Sequence, residues 1–272
     1  MDARVKPEHD GRGDATFMTL WLRFAHEGRE GFGALDGESI AVHDGDLFGG
    51  KAPTGETLPL AGVTLLTPCA PQKMVCLWNN SRAVAAKNNL TEPAEPLYFL
   101  KAPSAYLAGG QTIARPASYD GRVIYEAELG VVIGKRCSAV DEAAAADHIF
   151  GYTCVNDITA LELLFKDPSF PQWTRAKNFD GFGAFGPVIA TGLDPQTLMV
   201  KALLDGRERQ SQTADDMFFS PAQLVSLISR DMTLLPGDII ACGTTVGALP
   251  MKPGARIEIV IDGVGTLSNV MG

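Results

Sequence analysis

The chain has no Cys-x-x-Cys pair, no apolar run near the roughly 18 residues that span a bilayer, and no excess of positive charge. Its five cysteines, Cys69, Cys76, Cys137, Cys154 and Cys242, are scattered and odd in number. That speaks against a disulfide framework and against a thiolate zinc site, and a reduced, cytoplasmic compartment is the expectation. The N-terminus mixes acids and bases without an apolar core, so it does not read as a signal peptide. A formal net charge of −9 argues against a nucleic-acid or membrane partner. It leaves an anionic small molecule open, because a metal ion or a few local cations set the field inside a site. Internal repeats and low-complexity tracts are also missing.

What remains is an ordinary globular composition, 46% hydrophobic and 20% charged over 272 residues, enough for a large domain and a small one. Residues 1–17 are polar and Gly-containing and read as a disordered extension. Residues 18–69 hold short strand patterns at Met18 to Phe24, Gly31 to Leu35 and Ser39 to Val42, joined by Gly and Asp turns. They predict a small β-rich N-terminal domain. Residues 70–272 carry mostly strand patterns with few helices, the helices being expected over Ser81 to Asn88, Ser138 to His148 and Pro221 to Ser229. Strands and helices do not alternate regularly, which disfavours a doubly wound sheet or an eight-fold barrel. The fold class expected is α+β, mainly β.

The most informative run is Tyr125-Glu126-Ala127-Glu128-Leu129-Gly130-Val131-Val132-Ile133-Gly134. In extended chain Glu126 and Glu128 point to one face while Tyr125, Ala127 and Leu129 point to the other. Two carboxylates on a buried face repel and lose hydration, and a hard divalent cation is the simplest compensation. The competing reading is an exposed edge strand with both glutamates in water. Asp157 ends the apolar run Gly151 to Val155 and suits a third oxygen ligand if the two strands are neighbours. As a helix N-cap it would need no metal. Lys177 follows in Gln172-Trp173-Thr174-Arg175-Ala176-Lys177, and a Gly/Thr loop closes Pro236 to Gly247. A lysine near an oxoacid could hold negative charge or orient a water, and the loop's amides could bind a carboxylate.

The words YEAELGVVIG, GYTCVNDITA, QWTRAKNFDGFGAFGPVI and SRDMTLLPGDIIACGT occur in an order that resembles the fumarylacetoacetate hydrolase superfamily over roughly residues 71–270. The resemblance implies a mixed β-roll catalytic domain, usually in a homodimer. It implies Mg²⁺ or Mn²⁺, with Ca²⁺ as a further option, on Glu126, Glu128 and Asp157. It also implies Lys177 beside the metal, Gly243 and Thr244 at a substrate carboxylate, and Lys101 near the pocket. The implied activity is C–C bond hydrolysis, decarboxylation or enol–keto isomerisation of a 2-oxo acid or acylpyruvate in small-molecule catabolism, including that of aromatic compounds.

Two departures bear on that activity. Arg82 stands where many hydrolases of the family carry a histidine that helps activate water, and arginine does not serve as a general base. Arg82 is instead expected to pair with a second substrate carboxylate. Leu161, Glu162 and Leu164 stand where the family often has Arg, Asp and Gln, which makes two polar contacts apolar. Isomerisation or decarboxylation suits such a site better than hydrolysis does. The alternative is a catalytically decayed member that binds a metal and an oxoacid as a sensing protein. Trp78, Phe165, Phe170 and Trp173 are candidates for the pocket lining.

Overall fold

The computed structural model describes residues 18–272, so the extension expected over 1–17 lies outside the described residues. Alternating residues with tight turns at Gly28 and Gly37, both at positive φ, build the antiparallel meander β1 (Thr19–His26), β2 (Arg29–Asp36) and β3 (Ser39–Gly45). A fourth strand, β4 (Lys51–Pro59), was not visible in the pattern because its residues are exposed and show no apolar alternation. It is a strand because it pairs with β3, from Ser39 opposite Pro59 to Gly45 opposite Lys51.

Beyond it the chain forms β5 (Met74–Trp78), α1 (Arg82–Asn88), β6 (Leu97–Lys101), β7 (Ala127–Ile133), β8 (Ile149–Asp157), α2 (Trp173–Lys177) and β9 (Gly183–Thr191). Then come β10 (Met199–Leu204), β11 (Arg207–Thr213), α3 (Pro221–Asp231), β12 (Ile239–Ala241), β13 (Arg256–Ile261) and β14 (Gly265–Met271). The larger sheet follows the path β4-β3-β2-β1-β9-β8-β7-β12-β5-β6, and the smaller one holds β11-β10-β13-β14. Main-chain bonding therefore runs through the boundary near residue 70, with Leu20 opposite Ala190 and Trp21 opposite Ile189. Among the described residues no helix is long and apolar enough to cross a membrane.

Every residue of β7 is buried, as expected for the central strand between β8 and β12. Its register with β8 sets Ala127 opposite Asn156 and Glu128 opposite Val155, which brings Asp157 beside Glu126. Tyr125, Ala127 and Leu129 enter the hydrophobic core, as the alternation requires. Glu126 itself precedes the strand. Its N–H donates to Asn156 Oδ1 at 3.1 Å and its carbonyl accepts from Asp157 N–H at 2.9 Å. Asp157 is the last residue of β8 and not a helix cap.

The helix expected over Ser138 to His148 is only Glu142–Ala145 with a 3₁₀ turn at Ala146–His148. Bonds from Ala139 N–H to Ser229 O, from Val140 N–H to Ser229 Oγ and from Ser226 Oγ to Val140 O tie its first residues to α3 instead. The helix α3 has the capping box its sequence suggests, with Ser220 and Gln223 bonding each other's backbone.

The short strand β12 delivers the chain to the Gly/Thr loop, and Asp238 fixes where it starts. This carboxylate is fully buried, accepts from Lys73 N–H at 3.1 Å and Leu235 N–H at 2.8 Å, and is ion-paired with the Lys73 ammonium. Asp238→Ala would strand two amides and a lysine, so it should lower unfolding free energy by about 3 kcal/mol. Urea denaturation checks this, and a loss under about 0.5 kcal/mol would refute it.

Candidate metal centre

Glu126, Glu128 and Asp157 each offer a carboxylate oxygen, and these atoms lie within 4.8 Å of one another. Glu128 and Asp157 are each 1% exposed. Burial pushes the Glu128 carboxyl well above its ordinary range, with the Asp157 and Glu126 charges adding to the effect. Burial likewise raises Glu126, although Lys177 draws it back down. At Asp157 burial is outweighed by Lys101 and Lys177, which together hold that carboxyl below its usual value. Three acids are thus faced by two ammonium groups, and the cluster keeps a deficit of positive charge.

The two lysines have different tasks. Lys177, the last residue of α2, donates from Nζ to Glu126 Oε2 at 2.5 Å and to Asp157 Oδ2 at 2.6 Å. Asp157 and Glu126 outweigh the effect of burial and hold its ammonium above the ordinary lysine value. Its Nζ also lies 4.9 Å from the centre of the Phe99 ring. Lys101 does not contact the pocket, which corrects the role expected for it. Its side chain is fully buried, and its Nζ donates to the carbonyls of Ile158, Lys177 and Phe182 at 3.2, 2.6 and 2.7 Å. Lys101 ends β6, and its ammonium bonds the carbonyls that follow β8, end α2 and precede β9. Its ammonium also ion-pairs with Asp157 Oδ1 at 2.7 Å.

The Gly/Thr loop completes the site. Gly243, at φ 92°, turns its N–H to Glu128 Oε2 at 2.7 Å, a conformation that a side chain would oppose. Thr244 Oγ1 donates to Ala127 O at 3.0 Å and accepts from Gln210 Nε2 at 2.9 Å. Gln210 also donates to Thr245 O at 2.7 Å and accepts from Ala127 N–H at 3.1 Å. This glutamine clasps the loop to the start of β7. Sequence reading passed over it, and its one signal is the regular polar alternation of Gln210 and Gln212, both of which face inward.

A cavity of about 240 Å³ opens onto Glu126, Glu128 and Lys177. Thr244, Leu161, Leu164, Phe165, Trp78 and Trp173 line it, together with Lys87 of α1, which the sequence did not single out. Phe170 is exposed and outside the lining. Glu162 turns away to Tyr119 and Arg122. Arg82 also lies outside the lining, contrary to the role expected for it. It opens α1 at the surface, where Glu92 is 3.7 Å away and the Phe218 ring 4.7 Å away. Among the described residues no histidine or cysteine lines the cavity.

The donor set fits a hard divalent cation. It consists of carboxylate oxygens alone, lies in a largely buried position, and carries more negative charge than its two lysines balance. Glu126, Glu128 and Asp157 are the residues that would hold it.

Comparisons with known proteins agree with this geometry. A family model described as fumarylacetoacetate (FAA) hydrolase C-terminal matches residues 73–271, and one described as Rv2993c-like, N-terminal, matches residues 20–68. A crystal structure of a 5-carboxymethyl-2-hydroxymuconate delta-isomerase from Mycobacterium smegmatis superimposes with a TM-score of 0.85 at 35% identity, covering 93% of this chain and 98% of that one. Maleylpyruvate hydrolase from Sphingobium sp. SYK-6, solved with manganese(II) and pyruvate, gives 0.75 at 28% identity over 93% and 99% of the two chains. An oxaloacetate tautomerase of Bacillus subtilis is 36% identical over 75% of this chain and 71% of its own. The acidic triad, the mainly β fold and the family model together show that the chain belongs to the fumarylacetoacetate hydrolase family.

Proposed function

We propose that this protein is a divalent-metal-dependent enzyme that interconverts the enol and keto forms of a 2-oxo acid, or decarboxylates one, and is not a hydrolase. One observation carries the choice. Among the described residues, the titratable groups lining the cavity apart from the triad are Lys87 and Lys177, and neither is a free base poised to activate a water. Two relatives support the isomerase reading, a similar solved structure named an isomerase and a similar protein named a tautomerase, while others such as the Sphingobium enzyme are named hydrolases. Mg²⁺ or Mn²⁺ suits the oxygen ligands, and manganese accompanies pyruvate in the Sphingobium structure.

A cation on Glu126, Glu128 and Asp157 would supply Lewis-acid polarisation of a chelating 2-oxo acid. The chain's own groups do the rest. Lys177, held protonated by Glu126 and Asp157, is a fixed positive charge where the substrate oxygen gains negative charge. It cannot act as a base in that state. The loop at Thr244 and Thr245, clasped by Gln210, positions backbone groups for the substrate carboxylate. In ketonisation the enol O–H proton passes to solvent water, the C2 carbonyl forms, and C3 takes up a proton from water, so one proton is released and one gained. Neither an activated water nor a histidine is needed.

Ultraviolet absorbance of enol-oxaloacetate tests this reading. With Mg²⁺ or Mn²⁺ the protein should speed its ketonisation or the loss of carbon dioxide, and chelation should abolish the effect. Lys177→Met should lower kcat about 100-fold. Metal affinity should hold or rise in that variant, because the lysine and the cation compete for the same oxygens. No turnover with metal bound would favour the decayed, ligand-binding alternative.

The raised Glu128 and Glu126 carboxyls make a second prediction. They keep protons over a wider range than ordinary glutamates do, so a cation must displace them. Apparent metal affinity should therefore keep rising with pH above the ordinary glutamate range, with proton release on binding shrinking as pH rises. Calorimetric titration in buffers of different ionisation enthalpy measures both. Heats independent of buffer at every pH would contradict it.

A further inference from the structure

Glu126, Glu128 and Lys177 bring charge to the cavity, with Lys87 and the polar Asn79 and Asn88 elsewhere in its lining. Its large apolar lining is Leu161, Leu164, Phe165, Trp78 and Trp173. Trp173 stacks on Phe99 with centroids 5.0 Å apart and planes 18° apart, and it meets the edge of Trp78 at 6.1 Å. A groove of about 540 Å³ adjoins the cavity at those rings. The groove shares Trp78, Phe99, Phe165 and Trp173 with the cavity and adds Pro96, Leu97, Tyr98 and Pro171, none of them charged. Trp78, Leu97 and Phe165 are 37%, 41% and 64% exposed, so large apolar side chains cluster in water at one mouth.

We infer that the site takes a 2-oxo acid whose far end is apolar, an aryl or long alkyl group, and not a second carboxylate. The inference rests on the reading above, which puts the 2-oxo acid end at the triad. A carboxylate moved toward Leu164 and Trp173 would lose hydration and gain no hydrogen bond from those side chains. Lys87 is the one cation in the lining away from the triad. It is exposed on the last turn of α1, where water and salt weaken its pull. Arg82 is turned to Glu92 and Phe218. An aryl group leaving the triad end meets Trp78 and Trp173 as stacking partners and is drawn out of water as it enters the groove.

Phenylpyruvate and oxaloacetate form a matched pair of probes, since a phenyl ring in one replaces the second carboxylate of the other. Both have enol forms that absorb in the ultraviolet, and ketonisation moves the same two protons in each. With the Mn²⁺-loaded full chain, kcat/KM should be about tenfold or more higher for enol-phenylpyruvate than for enol-oxaloacetate. Phe165→Ala and Trp78→Ala change exposed side chains that the fold can spare. Each should raise KM for phenylpyruvate by about fivefold, and more than for oxaloacetate. A preference for oxaloacetate, or equal KM increases for both probes, would overturn the apolar-tail assignment and leave the isomerase reading standing. Turnover of neither probe with Mn²⁺ bound would overturn the isomerase reading and this inference with it. Variants that change the mass of the protein in solution while KM stays fixed would assign the groove to a second copy of the chain, which also overturns it.

Discussion

Three carboxylates withdrawn from water at one point are the constraint on which the rest of this structure depends. Placing one buried ion in a low-dielectric interior costs several kcal/mol, and like charges make each further one dearer. Lys101 and Lys177 meet part of that cost, and their placement shows how. Lys101 is bound into the backbone through three carbonyls and ion-pairs with Asp157 Oδ1. Lys177 comes from the side and bridges Glu126 and Asp157. Glu128 has only the Gly243 amide, so it carries the largest unmet demand.

Much of the surrounding architecture holds these charges at fixed distances. β7 lies between β8 and β12 and so cannot slide without moving every buried side chain along it. Its register with β8 fixes Glu128 relative to Asp157. The Gln210 clasp reaches across from the smaller sheet to pin the Gly/Thr loop, so both sheets contribute to one site. A rigid cluster of unmet negative charge beside a cavity suits a bound divalent cation.

The acids were legible because they broke a pattern. Glutamates at two-residue spacing in an apolar strand demand an explanation, and the order of motifs behind them supplied it. Lys177 and the Gly/Thr loop were read by the same route. Lys101 and Arg82 were misplaced because sequence gives adjacency without direction. Whether a lysine after a strand points to a pocket or to backbone carbonyls is decided by tertiary contacts. Gln210 left little trace because its partners, Ala127, Thr244 and Thr245, are distant in the chain, and β4 because its exposed residues show no apolar alternation. The helix expected near Ala144 was cut short for a similar reason, as the hydroxyls of α3 claim its first residues. The central strands were legible because burial on both faces leaves an apolar run that few other structures explain.

The account stands on the triad being a cation site that the lysines leave incomplete. Water-proton relaxation of Mn²⁺ titrated into the protein measures this directly, with oxalate added as a mimic of a 2-oxo acid's chelating end. The account predicts saturable binding of one ion per chain, a drop in relaxation when oxalate displaces bound water, and loss of both in Glu128→Gln. Mn²⁺ that fails to bind, or binds equally well to Glu128→Gln, would contradict it.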